Sequence, residues 1–214
     1  DVMRVLAFLS LLVLLLTATP PAHAATPDKS RALIETMAQD AISTLALPDK
    51  TPAQIEEKFR TILNTSFDFE AIARFVLGRY WRVATPEQQA EYTKLFEAYV
   101  VGVYANRFQA YSGETINVTG VRMDGETALV TSQINLTGGR PPVVVDWKVT
   151  DGPDGKPRVT DVIIEQVSMS LTQRSEFASI IANGSGKVET LLAQLRARTA
   201  GKTSTANAGS KSPG

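Results

Sequence analysis

Residues that ordinarily carry out chemistry are sparse in this chain. It holds a single histidine, His23, and no cysteine. A Ser-His-Asp triad, a Cys-His pair, disulfides and cysteine-based zinc sites therefore have nothing to be built from. A Ser-Lys pairing has no short motif behind it. Two groupings remain. Asp146 and Asp161 fall on stretches that read as neighbouring strands, where paired carboxylates suit acid–base work, such as a periplasmic hydrolase, or a hard cation. The plain alternative is a pair of exposed or hydrogen-bonded strand carboxylates. Arg74, Arg79 and Arg82 gather around Trp81, and forked guanidinium donors suit an anionic headgroup. Ordinary surface ion pairs are the alternative. Gly184-x-Gly186 follows a helical pattern rather than a strand, so it is not a phosphate loop. No cofactor or metal is expected.

The densest grouping is aromatic. All five tyrosines (Tyr80, Tyr92, Tyr99, Tyr104 and Tyr111) lie in or just before the stretch 85–111, with Trp81, Phe96 and Phe108. A tyrosine has an apolar ring and a polar tip that needs a partner when buried. Such a stripe suits either the core face of a helix or the lining of an apolar cavity with a wet rim. The element that must carry it is one long helix. Tyr92, Leu95, Phe96, Tyr99, Val103, Tyr104 and Phe108 recur at helical spacing. Thr85, Pro86 and Gln88 supply a cap, a first-position proline and a capping-box partner. Unbroken, that helix is about 40 Å long.

The remaining elements follow from period and punctuation. Helices are predicted over 30–45, from Thr51 onward, and over 70–77, ending at Gly78. Period-2 alternation and Gly-rich turns then predict antiparallel strands near 115–122, 127–137, 143–150 and 158–166. On the fourth strand, Val162 and Ile164 share one face, and Asp161, Ile163 and Glu165 the other. Ser170 is read as the cap of a further helix to about 182, and a last helix runs over 187–198. The order predicts an α+β domain, helices on one face of an antiparallel sheet, spanning 25–198. The polar composition of 199–214 predicts a disordered tail.

At the front, Met3-Arg4, the apolar run Val5 to Leu16 and Ala22-His23-Ala24 read as a secretory signal peptide, 1–24. The run falls short of the ~20 residues that span a bilayer. Lacking cysteine, the exported chain fits a Gram-negative periplasm and has no lipoprotein anchor. Twenty-two basic residues balance 22 acidic ones, which gives nucleic acid no electrostatic footing. By subtraction, the chemistry points to binding or carrying, in an apolar space between sheet and helices.

Phe67-Asp68-Phe69, Ala73-Arg74, Leu77-Gly78, Trp81 and Ala84-Thr85 with Gln88 resemble the MlaC, or toluene-tolerance auxiliary, family. The likeness continues at Phe96, Tyr104, Tyr111, Val130, Val149, Asp161-Val162, Glu165, Val167-Ser168, Arg174-Ser175 and Phe177. Pro157 and Gln173 depart from it, standing where the family usually has tryptophan and commonly tyrosine. The run Gly78-Arg79-Tyr80-Trp81-Arg82 is also similar to HpnM, the branch associated with hopanoid biosynthesis. The resemblance implies a periplasmic carrier of phospholipid, or hopanoid, between an outer-membrane lipoprotein complex and an inner-membrane Mce-domain ABC transporter. A non-catalytic assembly subunit is the alternative. Acyl chains would lie between helices and sheet. Judged by facing, the lining is expected from Phe75, Val76, Phe96, Tyr99, Val100, Val103 and Tyr104 on helices. On strands it is expected from Val130, Ile134, Val145, Trp147, Val162 and Ile164, with Trp147 equally suited to plain core. Arg79 and Arg82 are the expected headgroup contacts.

Overall fold

Three helices begin on the same local device. In the computed structural model, which describes residues 25–208, Thr26, Thr51 and Thr85 each accept a backbone N–H from three residues on. Each is followed by a proline whose missing N–H costs nothing in a first turn. Gln54 and Gln88 close two of these starts into capping boxes by accepting from the Thr51 and Thr85 amides at 2.8 and 3.1 Å. The helices are α1 (Pro27–Leu45), α2 (Pro52–Ser66) and the long α4 (Pro86–Phe108). Between α2 and α4 lies α3 (Phe69–Leu77), capped by the Asp68 carboxylate. It ends at Gly78, whose φ of 60° and ψ of −129° suit only glycine. A Cβ there would also sit 3.0 Å from the Arg174 guanidinium. A 3₁₀ turn, Gly78–Arg82, leads into α4. The expected leader, residues 1–24, lies outside the described residues, as do residues 209–214.

The sheet is an antiparallel meander in simple order, β1 (Thr115–Asp124), β2 (Thr127–Asn135), β3 (Val143–Asp151), β4 (Pro157–Ile164) and β5 (Val167–Ser168). The expected fourth strand, 158–166, is β4 and ends at Ile164, and the residues beyond turn back to pair with it as β5. The two are folded at Glu165-Gln166, where both residues take positive φ in a tight hairpin reached without glycine. The register of β3 on β4 slips beside Lys148. That bulge corrects the expected face of Asp161. Its side chain turns in beside Val162 instead of out with Ile163. Helix α5 (Met169–Asn183) is capped by Ser168, which accepts from the Leu171 amide at 3.1 Å. Ser170, the expected cap, is a buried residue of the first turn. Helix α6 (Val188–Ala208) continues into the stretch read as a tail, because adding residues to an existing helix costs far less than starting one.

Two cores result. In the first, α1 and α2 lay Ile34, Met37 and Ile62 on the sheet face carrying Ala128, Val130, Val149 and Val159. In the second, α3–α6 meet among themselves around Tyr92, Phe96, Phe177, Ile181, Leu191, Leu192 and Leu195. Backbone bonds tie the two together where Asp68 donates to the Val159 carbonyl at 3.0 Å.

Candidate functional site

Where the helical layer meets the sheet, the apolar side chains do not fill the space. A cavity of about 250 Å³ lies between α2–α5 and strands β2–β4. Its wall is Phe59 and Leu63 on α2, Phe67 on the link, and Phe69, Ile72 and Val76 on α3. Helix α4 adds Phe96, Val100, Tyr104 and Phe108, and the sheet adds Ile134, Val145, Trp147, Val162 and Ile164. A second cavity of about 180 Å³ continues toward β1, between α1 and α2. Met37, Ala38, Ala41, Ile42 and Leu45 of α1 form one side of it, with Ile62, Tyr111 and Ile116. Phe59, Phe67, Phe108, Ile134 and Trp147 line both spaces, so these side chains are the partition of one two-chambered hollow.

The partition is held by packing and by one buried polar chain. Phe59 stacks on Tyr104 at 5.8 Å between ring centroids and tilts against Phe108 at 5.7 Å. The Trp147 indole donates to Ser132 Oγ at 2.9 Å, and Ser132 donates to the Val145 carbonyl at 3.1 Å. This fixes the indole ring with no polar atom left over for a ligand.

Polar character enters the larger chamber at one end, from Asp161, Ser170 and Gln173. The Asp161 carboxylate is buried and fully engaged. It accepts from Ser168 Oγ at 2.6 Å, the Val162 amide at 2.9 Å and the Ser170 amide at 3.1 Å. Its task is to pin the first turn of α5 to β4. Asp146 lies on the opposite face of the sheet, opposite Ile163, and accepts from Thr131 Oγ1. The two carboxylates proposed as an acid–base pair are thus not brought together. Among the described residues, no group of three or more His, Cys, Asp or Glu is placed to hold a metal.

Nine of the thirteen expected lining residues stand in the wall of the larger chamber: Val76, Phe96, Val100, Tyr104, Ile134, Val145, Trp147, Val162 and Ile164. The other four do not line either chamber. Phe75 is 43% exposed, on the far side of α3, beneath the Arg174 guanidinium. Tyr99 packs against Phe177 and Arg198 on the α6 side of α4. Val103 is half-buried one helical step off the lining stripe, and Val130 is fully buried in the sheet core. Arg79 and Arg82 are likewise absent from the wall. Arg79 lies over the Tyr80 ring and donates to its hydroxyl at 2.9 Å.

The wall residues that sequence reasoning missed are mainly Phe59, Leu63, Phe67, Phe69, Ile72 and Phe108, together with the whole α1 side of the smaller chamber. Their signal was present as helical periodicity in α1 and α2. That pattern says which face is covered and not whether the covering atoms touch it.

The other half of the tyrosine stripe is solid. Tyr92 is completely buried, stacked on Phe96 at 5.7 Å and edge-on to Phe177 at 6.2 Å. Its hydroxyl donates to the Ala73 carbonyl at 3.0 Å, and burial pushes its pKa far above the usual phenolic range. That tyrosine is a neutral strut.

Comparison with known proteins agrees with this architecture. A family model described as MlaC protein matches residues 33–197. The structure of a phospholipid-binding protein from Ralstonia solanacearum, determined in complex with a phospholipid, superposes with a TM-score of 0.68 at 25% identity. The match covers 80% of this chain and 97% of that one. With the family model spanning most of its length, this chain belongs to the MlaC family.

Proposed function

We propose that the protein is a periplasmic lipid carrier that holds the acyl chains of a phospholipid in the two-chambered hollow. The observation that carries this reading is the hollow itself. Its wall is mainly hydrocarbon and aromatic, with non-aromatic polar groups only from Asp161, Ser170 and Gln173 in the larger chamber and from Glu114 and Thr115 in the smaller. Water gains almost nothing in such a space, whereas each buried CH₂ of a lipid contributes about 0.8 kcal/mol. Chemistry on the cargo is not needed, and the two strand carboxylates sit on different faces of the sheet.

The phospholipid bound by the Ralstonia solanacearum relative supports phospholipid as cargo. Family membership supports the larger role of moving it between an outer-membrane lipoprotein complex and an inner-membrane Mce-domain ABC transporter. Hopanoid is the competing cargo, and it makes a different demand. A rigid fused-ring body needs one broad slot, whereas two flexible chains suit two spaces divided by Phe59, Phe108 and Trp147.

The test is to purify the exported protein without detergent and extract its lipid for mass spectrometry. Diacyl phospholipid at near one molecule per chain is expected. Hopanoid alone, or no lipid after incubation with phospholipid vesicles, would contradict the reading.

A further inference from the structure

Four arginines outside the cavity wall share an unusual environment. Arg74, Arg79 and Arg82 fall within one ten-residue stretch of α3 and the 3₁₀ turn. Arg174 reaches over from α5 to Gly78, 3.0 Å from where a Cβ would stand. Among the described residues, none of the four forms an ion pair with a carboxylate. Glu70, Glu87 and Glu176, the acidic residues nearest along the chain, pair with none of them, and Glu176 is taken by Arg198. Instead, three hold their guanidinium over aromatic rings, Arg74 over Trp81 at 6.0 Å, Arg79 over Tyr80 at 4.9 Å and Arg174 over Phe75 at 4.9 Å. Stacking holds a guanidinium in place while leaving edge donors for an incoming oxyanion, all but the one that Arg79 gives to the Tyr80 hydroxyl.

The same surface carries protruding apolar side chains. Val83 is 68% exposed, Leu171 55% and Phe75 43%. Leu171 stands one helical turn before Arg174 on α5. Apolar tips on a protruding turn, interleaved with un-neutralised arginines, form no groove for a peptide. They match the layered chemistry of a bilayer surface, phosphates outermost and hydrocarbon just beneath.

We propose that the α3–3₁₀–α5 face is a membrane-docking surface that binds bilayers rich in anionic phospholipid. Arg74, Arg79, Arg82 and Arg174 would contact headgroup phosphates while Val83 and Leu171 enter the interface. The inference stands apart from the cargo reading, since it uses no residue of the cavity wall.

The experiment is vesicle flotation of the exported protein with phosphatidylcholine vesicles, with and without 30% phosphatidylglycerol. Binding is expected only with phosphatidylglycerol, and it weakens steeply on raising the salt. Arg82→Gln lowers the partition coefficient about fivefold and Arg79→Gln/Arg82→Gln about 25-fold, at about fivefold per arginine near an anionic surface. Val83→Ser lowers it at unchanged charge. Arg122→Gln, on the exposed part of β1, leaves it as in the parent. Native mass spectrometry of each variant reads bound cargo separately, so a protein that loads lipid and ignores vesicles defeats this inference alone. Equal flotation with both vesicle types, unchanged flotation of the double variant, or capture by an acidic protein without any vesicle binding would each overturn it.

Discussion

The two halves of helix α4 both carry aromatic rings on their inner faces, yet their surroundings are opposite. In the first half, the completely buried Tyr92 meets Trp81, Phe96 and Phe177 ring against ring, and Phe96 marks the boundary, packed against Phe69 and Phe177 while reaching the hollow. In the second, Val100, Tyr104 and Phe108 face a hollow. What differs is the partner. The first half meets other helices, α3, α5 and α6, whose side chains interdigitate with it. The second half faces a sheet across α2, and the sheet presents the β-branched Ile134, Val145, Val162 and Ile164, with its one long side chain, Trp147, held back by its bond to Ser132. Short side chains on a stiff pleated surface cannot reach across to a helix held off by Phe59 and Phe67. A rigid half holds open a hollow half, which a lipid carrier needs.

That contrast can be broken at either side. Phe177→Ala removes the ring against which Tyr92, Phe96 and Tyr99 pack. It should destabilise the lipid-free protein by about 3–5 kcal/mol, read by urea unfolding. Asp161→Ala strips the carboxylate that joins β4 to the first turn of α5. A loss of about 2–3 kcal/mol is expected for a buried charged acceptor, with hydrogen exchange rising first at the start of α5. On the hollow side, Val100→Trp fills space that the cargo would occupy. Excluding about two CH₂ groups lowers lipid retention roughly tenfold, while the unfolding midpoint does not fall. Val103→Trp, one step off the lining, leaves retention unchanged. The smallest effect is Tyr92→Phe, which loses one buried hydrogen bond to Ala73. It should cost about 1 kcal/mol in unfolding and nothing in lipid retention.

Much of this architecture can be read from the residues, and the places where reading stops have physical causes. Thr-Pro-x-Gln starts, a helix-ending glycine and alternating strands are local signals, and α1, α2, α4 and the meander follow them. The bulge beside Lys148 is not local. It depends on how β3 and β4 twist together, and it alone decides that Asp161 faces inward. Ser168 and Ser170 are both plausible caps by composition, and the turn at Glu165-Gln166 selects the earlier one. The hollow is hardest of all. Met37, Ala41 and Ile42 on α1 have the same pattern whether their facing atoms touch or stand apart. Volume left unfilled depends on the distance between layers, which Phe59 and Phe67 set from another part of the chain. Phe75 shows the converse, since an apolar residue amid helical apolar neighbours lies outside, under Arg174.

The most direct test of the account is native mass spectrometry of the protein, purified without detergent and then mixed with phospholipid vesicles, beside Val100→Trp. The account predicts a population heavier by one phospholipid in the parent, and largely unladen chains in the variant. Unladen protein in both samples, or equal loading of both, would contradict it.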